Sequence, residues 1–306
     1  MLVIGDVMMD IFMRSTIERI SPEAPVPIVH EGVRTVHLGG AANTASNIAG
    51  LGLKTTIIGK VGRDREGREL GSIARQAKLK PFFITDEQVP TITKTRIISQ
   101  GKHIVRIDRE VVTPMSKKTE AEVLRVIRSI EKPDWVVVSD YAKGLITPDV
   151  MRVLMRRFTP TSILVDPKPV NAPLYNGVGV LKLNVAEAAA ICNIEATDNA
   201  SATKAARKLC AQFGSHIVLT RGGDGITVLT HEMKSPLHIP AVKTEVRDVT
   251  GAGDTIAAVI SFLLSHEASL EHAARAANVA GSIVVSRHGT TSLTAPELLE
   301  AFDTFL

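Results

Sequence analysis

The chain has 306 residues, of which 44% are hydrophobic and 22% charged. It can therefore bury a large core and falls outside the disordered and low-complexity classes. Thirty-six Lys and Arg against 32 Asp and Glu leave a formal charge of +4. An excess that small, over this length, argues against nucleic acid and against a membrane surface as partners and leaves room for a small anionic substrate. Cys192 and Cys210, with no Cys-x-x-Cys or His-x-x-x-His spacing, give neither a disulfide framework nor a zinc site and suit a reducing compartment. The N-terminus reaches Asp6 before any signal-like apolar run develops, and the apolar run 256–264 is far short of the ~20 residues a bilayer span needs, so a cytoplasmic protein is expected.

In chain order, Leu2–Gly5 reads as a buried strand, and 24–38 alternates β-branched with polar residues as an antiparallel strand with one wet face does. A helical pattern at 42–51 leads to a strand at 56–58 and a helix at 65–78. Residues 91–108 repeat the alternating pattern, and the two alternating stretches are expected to form a small β lid. Helices at 117–131, 147–158 and 200–213 then separate strands at 135–139, Ile163–Asp166 and 217–220. The last third is helical, at 252–265, 269–286 and 296–304, with small residues between Ala273 and Gly281 that favour close helix packing. Strands apolar on both faces, interleaved with helices, predict a doubly wound α/β fold with a mostly parallel sheet. No internal repeat or linker-like tract interrupts it.

Two glycine-rich segments carry chemistry. Asp248-Val-Thr-Gly-Ala-Gly-Asp254 precedes an apolar helical stretch. Glycines there allow a tight turn and close approach of a ligand, and the first helical turn offers unpaired N–H groups and a positive dipole end to an anion such as phosphate. Asp254 in that field favours its carboxylate form and can take a proton from an attacking hydroxyl. On this segment alone, a glycine turn with an aspartate cap is the commoner arrangement. The second segment, Leu38-Gly-Gly-Ala-Ala-Asn43, opens a small-residue helix on which Asn43 can both donate and accept hydrogen bonds to hydroxyls. In isolation, plain helix packing is the commoner reading. Asn184 and Glu187, taken alone, form a helix cap with a capping-box glutamate.

Together, Gly39-Gly40 with Asn43 and Asp248-x-Thr-Gly-Ala-Gly-Asp254 resemble the two signatures of the ribokinase (PfkB) family of carbohydrate kinases, at the right separation. The likeness runs from about Leu2 to the last helix, implying one kinase domain over 1–306 with lid strands from about 11–38 and 88–110. Within the family the chain looks most like the branch that phosphorylates D-glycero-D-manno-heptose 7-phosphate at its anomeric oxygen. The stretches that carry this are Arg19 to Pro27, Leu38 to Asn43, Ser139-Asp-Tyr-Ala-Lys-Gly144, Val165-Asp-Pro-Lys168 and Thr220-Arg-Gly-Gly-Asp-Gly225. Leu181-Lys-Leu-Asn184 departs from the Leu-Thr-Pro-Asn usual in that branch, and Pro169 stands where glycine is typical.

The resemblance implies Asp254 as catalytic base, with Gly251, Ala252 and Gly253 as the anion hole for the transferring phosphoryl group. Asn184 and Glu187 would organise magnesium, partly through water. Thr220, Gly222, Gly225, Asn278 and Gly289 would hold ATP, and backbone carbonyls near Asp248, Thr250 and Gly289 a potassium ion. Asp10, Gly39, Gly40 and Asn43 would hold the sugar, joined by Asp140 and, from the lid, Arg106 and Asp108. Asp6 is placed equally well as a cap or in an ion pair. A sugar already bearing a phosphate needs cations, and Lys143, Lys168 and Arg106 are the candidates. The resemblance further implies a homodimer paired through lid strands, and kinase activity without the nucleotidyltransferase domain some relatives carry. A kinase of another sugar or nucleoside, and a silent sugar- or nucleotide-binding regulator, remain the competing readings. A dinucleotide-dependent dehydrogenase is disfavoured, because no Gly-x-Gly-x-x-Gly follows the first strand.

Overall fold

Successive strand residues point to opposite sides of a sheet, and here both sides are apolar. In β1 (Leu2–Gly5), Leu2 and Ile4 join one core and Val3 the other. The same division holds for Val136 and Val138 against Val137 in β8 (Val136–Ser139), and for Ile217 and Leu219 against Val218 in β11 (His216–Thr220). These strands therefore need a helical layer on each face, which the crossovers supply. The computed structural model describes residues 1–287, 289 and 292–305.

After β1 the chain forms β2 (Val7–Ile20), β3 (Pro27–Gly40), α1 (Ala41–Gly50), β4 (Thr55–Gly62), α2 (Arg65–Gln76), β5 (Leu79–Asp86), β6 (Thr93–Ser99), β7 (Lys102–Arg109) and α3 (Lys117–Ser129). Beyond β8 come α4 (Pro148–Arg157), β9 (Ile163–Asp166), β10 (Val180–Asn184), α5 (Val185–Cys192) and α6 (Asn199–Phe213). After β11 follow β12 (Ile226–Leu229), β13 (Leu237–Ile239), α7 (Ala252–Leu264), α8 (Leu270–Val285) and α9 (Ala295–Phe305). The main sheet runs β13-β12-β11-β10-β9-β8-β1-β4-β5, parallel from β11 to β5, with β12 and β13 antiparallel at one edge. Strand order reverses at β1 and β8, the place where open α/β sheets leave a crevice at their carboxyl ends.

The lid is a second sheet, β3-β2-β6-β7. Its two hairpins are antiparallel, as expected, but their junction β2–β6 is parallel. The reason is connectivity: each hairpin leaves the carboxyl end of a parallel strand, β1 or β5, so β2 and β6 start out in the same direction. β2 begins at Val7, earlier than the expected lid boundary, because the chain passes from main sheet to lid at Asp6. The edge strand β5 escapes a sequence reading through Pro81, and β10 through Lys182 within its apolar run. No helix among the described residues is long and apolar enough to cross a membrane.

Candidate active site

The carboxyl ends of the parallel strands put most of the polar candidates on one edge. Asp6 follows β1, Asp140 follows β8, Asp166 ends β9, Asn184 ends β10 and Thr220 ends β11. The lid strands leave from that same edge, so sheet and lid face each other across a cleft.

α7 starts beside it. Gly251 takes a left-handed φ of 81° and no side chain caps the helix; the Ala252 N–H turns back to the Val249 carbonyl at 3.3 Å, and the other N–H groups at the start of the helix face a ligand anion unpaired by any cap. Asp254 is not the cap but the third helical residue, 4% exposed. Its Oδ2 accepts from Asn43 Nδ2 at 2.8 Å, and its Oδ1 from Thr44 Oγ1 at 3.0 Å and Tyr141 OH at 2.7 Å. Burial raises its pKa, and the hydrogen bonds from Asn43, Tyr141 and Thr44 with the charge of Lys182 pull against that. A carboxylate so held keeps a lone pair for a proton from a neighbouring hydroxyl.

The glycines at the start of α1 have a steric reason. At Gly40, φ is 57° and a Cβ would meet the Asp6 carbonyl oxygen at 2.4 Å. A Cβ at Gly39 would lie 2.4 Å from Asp10 Oδ2, so the bare backbone lets Asp10 stand close by. Asp10 is buried and accepts from Arg96 at 2.5 Å, while the guanidinium also stacks on Phe12, 5.2 Å from the ring centre. The register places Asp10, Phe12 and Arg14 of β2 on the same lid face as Arg96 of β6, which in turn stands opposite Arg106 of β7.

Asn184 and Glu187 form the reciprocal capping box of α5, with Glu187 N donating to Asn184 Oδ1 at 2.9 Å and Asn184 N to Glu187 Oε2 at 3.0 Å. Lys168 reaches the other Glu187 oxygen at 2.5 Å. Nearby, Asp166 accepts from Lys182 at 2.6 Å and is pushed up to about 6, chiefly by burial; Lys182 opposes the rise, and Glu187 and Asp254 add to it. Asp166 and Glu187 thus stand near each other, each paired with a lysine. The oxygen donors suit magnesium, and since no tight group of three His, Cys, Asp or Glu occurs among the described residues, they would hold it partly through water.

On the nucleotide side, Thr220 Oγ1 donates to the Leu183 carbonyl at 3.2 Å. Gly222 and Gly225 both have positive φ, and a Cβ at Gly225 would strike the Ile239 carbonyl oxygen at 2.0 Å. Asn278 donates to the Pro240 carbonyl at 2.8 Å, so Gly225 and Asn278 meet at the segment after β13. Asp248 accepts from Thr250 N at 2.9 Å and Gly289 N at 3.0 Å, drawing together the three residues expected around potassium.

Several candidates turn out to be engaged otherwise. Asp140 is buried and accepts from Ala142 N, Lys168 N, Asn171 Nδ2 and Tyr175 OH, so it braces the loop. Asp6 ties down the loop after β8, taking N–H donors from Tyr141, Lys143 and Leu145. The three cations expected for a substrate phosphate are matched by acids: Lys143 with Glu110 at 2.7 Å, Lys168 with Glu187, and the half-exposed Arg106 with Asp108 at 2.8 Å. Asp108 also takes Lys94 at 3.0 Å.

Five residues emerge from the structure rather than from the sequence. Thr44 and Tyr141 hold Asp254, Arg96 holds Asp10, and Asp166 pairs with Lys182. A Cβ at Gly253 would come within 3.1 Å of Lys182 Nζ, which puts that buried cation against the glycine turn. Lys182 had a sequence signal, since a lysine inside a buried apolar strand requires a partner or a ligand.

With this geometry in hand, comparisons with known proteins agree on the kind of protein. The bifunctional protein HldE of Caulobacter vibrioides is 40% identical over 303 residues, covering 97% of this chain and 62% of that protein. HldE of Gluconobacter oxydans is 39% identical over 305 residues, covering 97% and 63%. The chain thus spans less than two thirds of these relatives. Among solved structures, phosphofructokinase-2 from Escherichia coli in complex with potassium superposes with a TM-score of 0.81 at 18% identity, covering 99% of this chain and 98% of that one. Ribokinase from Arabidopsis thaliana, complexed with ribose and ATP, gives 0.75 at 18% identity, covering 98% and 97%. These two matches fix a ribokinase-like fold. The family profile described as pfkB family carbohydrate kinase matches residues 1–298, and the chain belongs to that family of sugar-phosphorylating enzymes.

Proposed function

We propose that this chain is an ATP-dependent kinase domain that phosphorylates D-glycero-D-manno-heptose 7-phosphate at the anomeric O1. The product would be the 1,7-bisphosphate, on the way to ADP-heptose for lipopolysaccharide. The observation that carries the kinase chemistry is Asp254: a buried carboxylate fixed by three donors at the uncapped start of α7. The heptose assignment rests on the motifs from Arg19 to Lys168 and on the relatives named HldE.

In this reading the sugar lies against Gly39, Gly40, Asn43 and Asp10. Asp254 accepts the proton of the attacking hydroxyl while the amides of residues 251–253 and the Lys182 ammonium stabilise the transferring phosphoryl group. Phosphoryl transfer requires mostly positioning and electrostatics, and these groups provide both. Magnesium held by Asn184, Glu187 and Asp166 supplies charge neutralisation at the nucleotide phosphates. Thr220, Gly222, Gly225 and Asn278 shape the nucleotide side, and the carbonyls of the 248–250 loop and Gly289 suit potassium. The outer lid face exposes Val105 and Ile107; we read it as the surface through which two copies pair.

ATP turnover by the purified protein on a panel of heptose 7-phosphate, fructose 6-phosphate, ribose and free heptose tests the assignment. The highest kcat/KM is expected for heptose 7-phosphate, with phosphorus NMR placing the new ester at O1. Preference for another acceptor would replace the substrate, and no turnover on any would favour a binding regulator.

A further inference from the structure

An open cavity of about 390 Å³ lies between α2 and β5, lined among others by Arg63, Arg68, Gly71, Arg75, Pro81 and Phe83. It sits at the edge of the main sheet, where β4 is the only strand neighbour of β5. No residue of its lining belongs to the candidate active site. The volume is in the range of small-ligand sites. Pro81, Phe83 and Thr85 reach it because alternate residues of β5 face α2. Arg68 and Arg75 stand two turns apart on α2, roughly 10 Å at ~1.5 Å per residue, with Gly71 between them.

Two glycines of α2 line the cavity for different reasons. At Gly67 a Cβ would lie 2.7 Å from the Gly62 carbonyl oxygen, so packing excludes a side chain. At Gly71 a Cβ would make only ordinary contacts, 3.6 Å from the Arg75 guanidinium and 3.8 Å from the Phe83 ring, and Gly71 is not among the residues with positive φ. Glycine in a helix interior lowers stability relative to alanine. Here neither packing nor backbone conformation calls for it, and what its bare backbone does is keep the space beside Arg75 and Phe83 open.

The charge of the lining is mostly uncompensated. Arg68 and Arg75 are exposed and have no acidic partner among the described residues. Arg63 meets Glu87 at 2.6 Å through side chains 73% and 59% exposed, a weak surface pair. The acid in the lining, Asp64, is already engaged: one oxygen accepts from Gly67 N and Thr91 Oγ1, the other from Thr91 N, and Arg109 stands 3.4 Å away. Phe83 and Pro81 add an apolar wall beside these cations.

We propose that this cavity is a binding site, separate from the active site, for a phosphate monoester carried on a flat aromatic group, with the phosphate on Arg68 and Arg75 and the ring against Phe83. Guanidinium groups meet phosphate oxygens with paired donors, and an aromatic wall favours a ring over an aliphatic body. The inference goes beyond the kinase reading and does not depend on it.

The test is titration of the whole protein with phenyl phosphate and with inorganic phosphate, followed by nitrogen-15 NMR at the Gly71 amide and the Arg68 and Arg75 Nε–H groups, which locates binding independently of the cleft. Saturable shifts at these groups are expected, with phenyl phosphate binding at least about 3-fold more tightly than inorganic phosphate. Arg68→Gln/Arg75→Gln should weaken phenyl phosphate at least about 10-fold at the Gly71 amide, through loss of charge-assisted hydrogen bonds. Gly71→Leu should abolish binding by filling the cavity, while its thermal midpoint stays at or above the original because a helical glycine has been replaced. Absence of shifts at these groups in the unaltered protein overturns the site. So does equal affinity for the two anions, or an affinity that either variant leaves unchanged.

Discussion

Replacing Tyr141 by phenylalanine keeps the ring and deletes one hydroxyl, the group that donates to Asp254 Oδ1 at 2.7 Å. Thr44 and Asn43 remain as donors, and Lys168 keeps a ring to stack on, 5.6 Å from its centre. The sign follows from which form the bond favours. A phenol donating to a carboxylate stabilises the ionised form, so its removal favours the protonated acid in a site where burial already raises the pKa. A hydrogen bond to a charged group is worth about 1.5–3 kcal/mol, and one pH unit corresponds to about 1.4 kcal/mol. The acid limb of kcat/KM against pH should therefore move up by about 1–2 units, with most of kcat recovered on the alkaline side and nucleotide affinity unchanged. Rate–pH profiles of the two proteins on the same acceptor make the comparison. A limb that stays in place, or a uniform loss of rate at every pH, would refute the role given to Tyr141.

Gly39→Ala brings a methyl group to 2.4 Å from Asp10 Oδ2, so it should raise the KM of the sugar at least about 10-fold while leaving the KM of ATP near its original value; steady-state kinetics in both substrates decide this. Val105→Asp with Ile107→Asp places charge on the exposed outer lid face and should convert a dimer to a monomer in sedimentation experiments, whereas an unchanged oligomer would locate the pairing surface elsewhere. Asp166, pushed up to about 6, gains its negative charge as pH rises through that value; magnesium activation should strengthen between pH 5 and pH 7, and a half-saturating concentration flat over that range would remove Asp166 from the metal's surroundings.

Much of the main sheet and of the glycine-rich turns was legible because each has a local signature. β1, β8, β9 and β11 are apolar on both faces, which only a covered parallel sheet tolerates, a side chain at Gly39 or Gly40 would collide, and Gly251 has a positive φ. The capping box at Asn184 and Glu187 was equally local. What escaped depends on distance in the chain. Tyr141 and Asp254 are 113 residues apart, and Asn43 and Asp254 are 211 apart, so no spacing rule connects them. Lysines look alike in sequence, yet Lys182 is buried against Gly253 while Lys143 is matched by Glu110, a distinction that arises only when strand ends converge. The surroundings of Asp140 were out of reach for the same reason: its four donors come from Ala142, Lys168, Asn171 and Tyr175, gathered by the fold.

The central claim is that Asp254 takes the proton of the sugar hydroxyl, and Asp254→Asn tests it most directly because the side chain keeps its shape and loses its basicity. Turnover on the best acceptor should fall by about 10²- to 10⁴-fold, with ATP affinity unchanged by calorimetry and the folded state intact by circular dichroism. Turnover within a few-fold of the original, in a protein that still binds both substrates, would contradict the account.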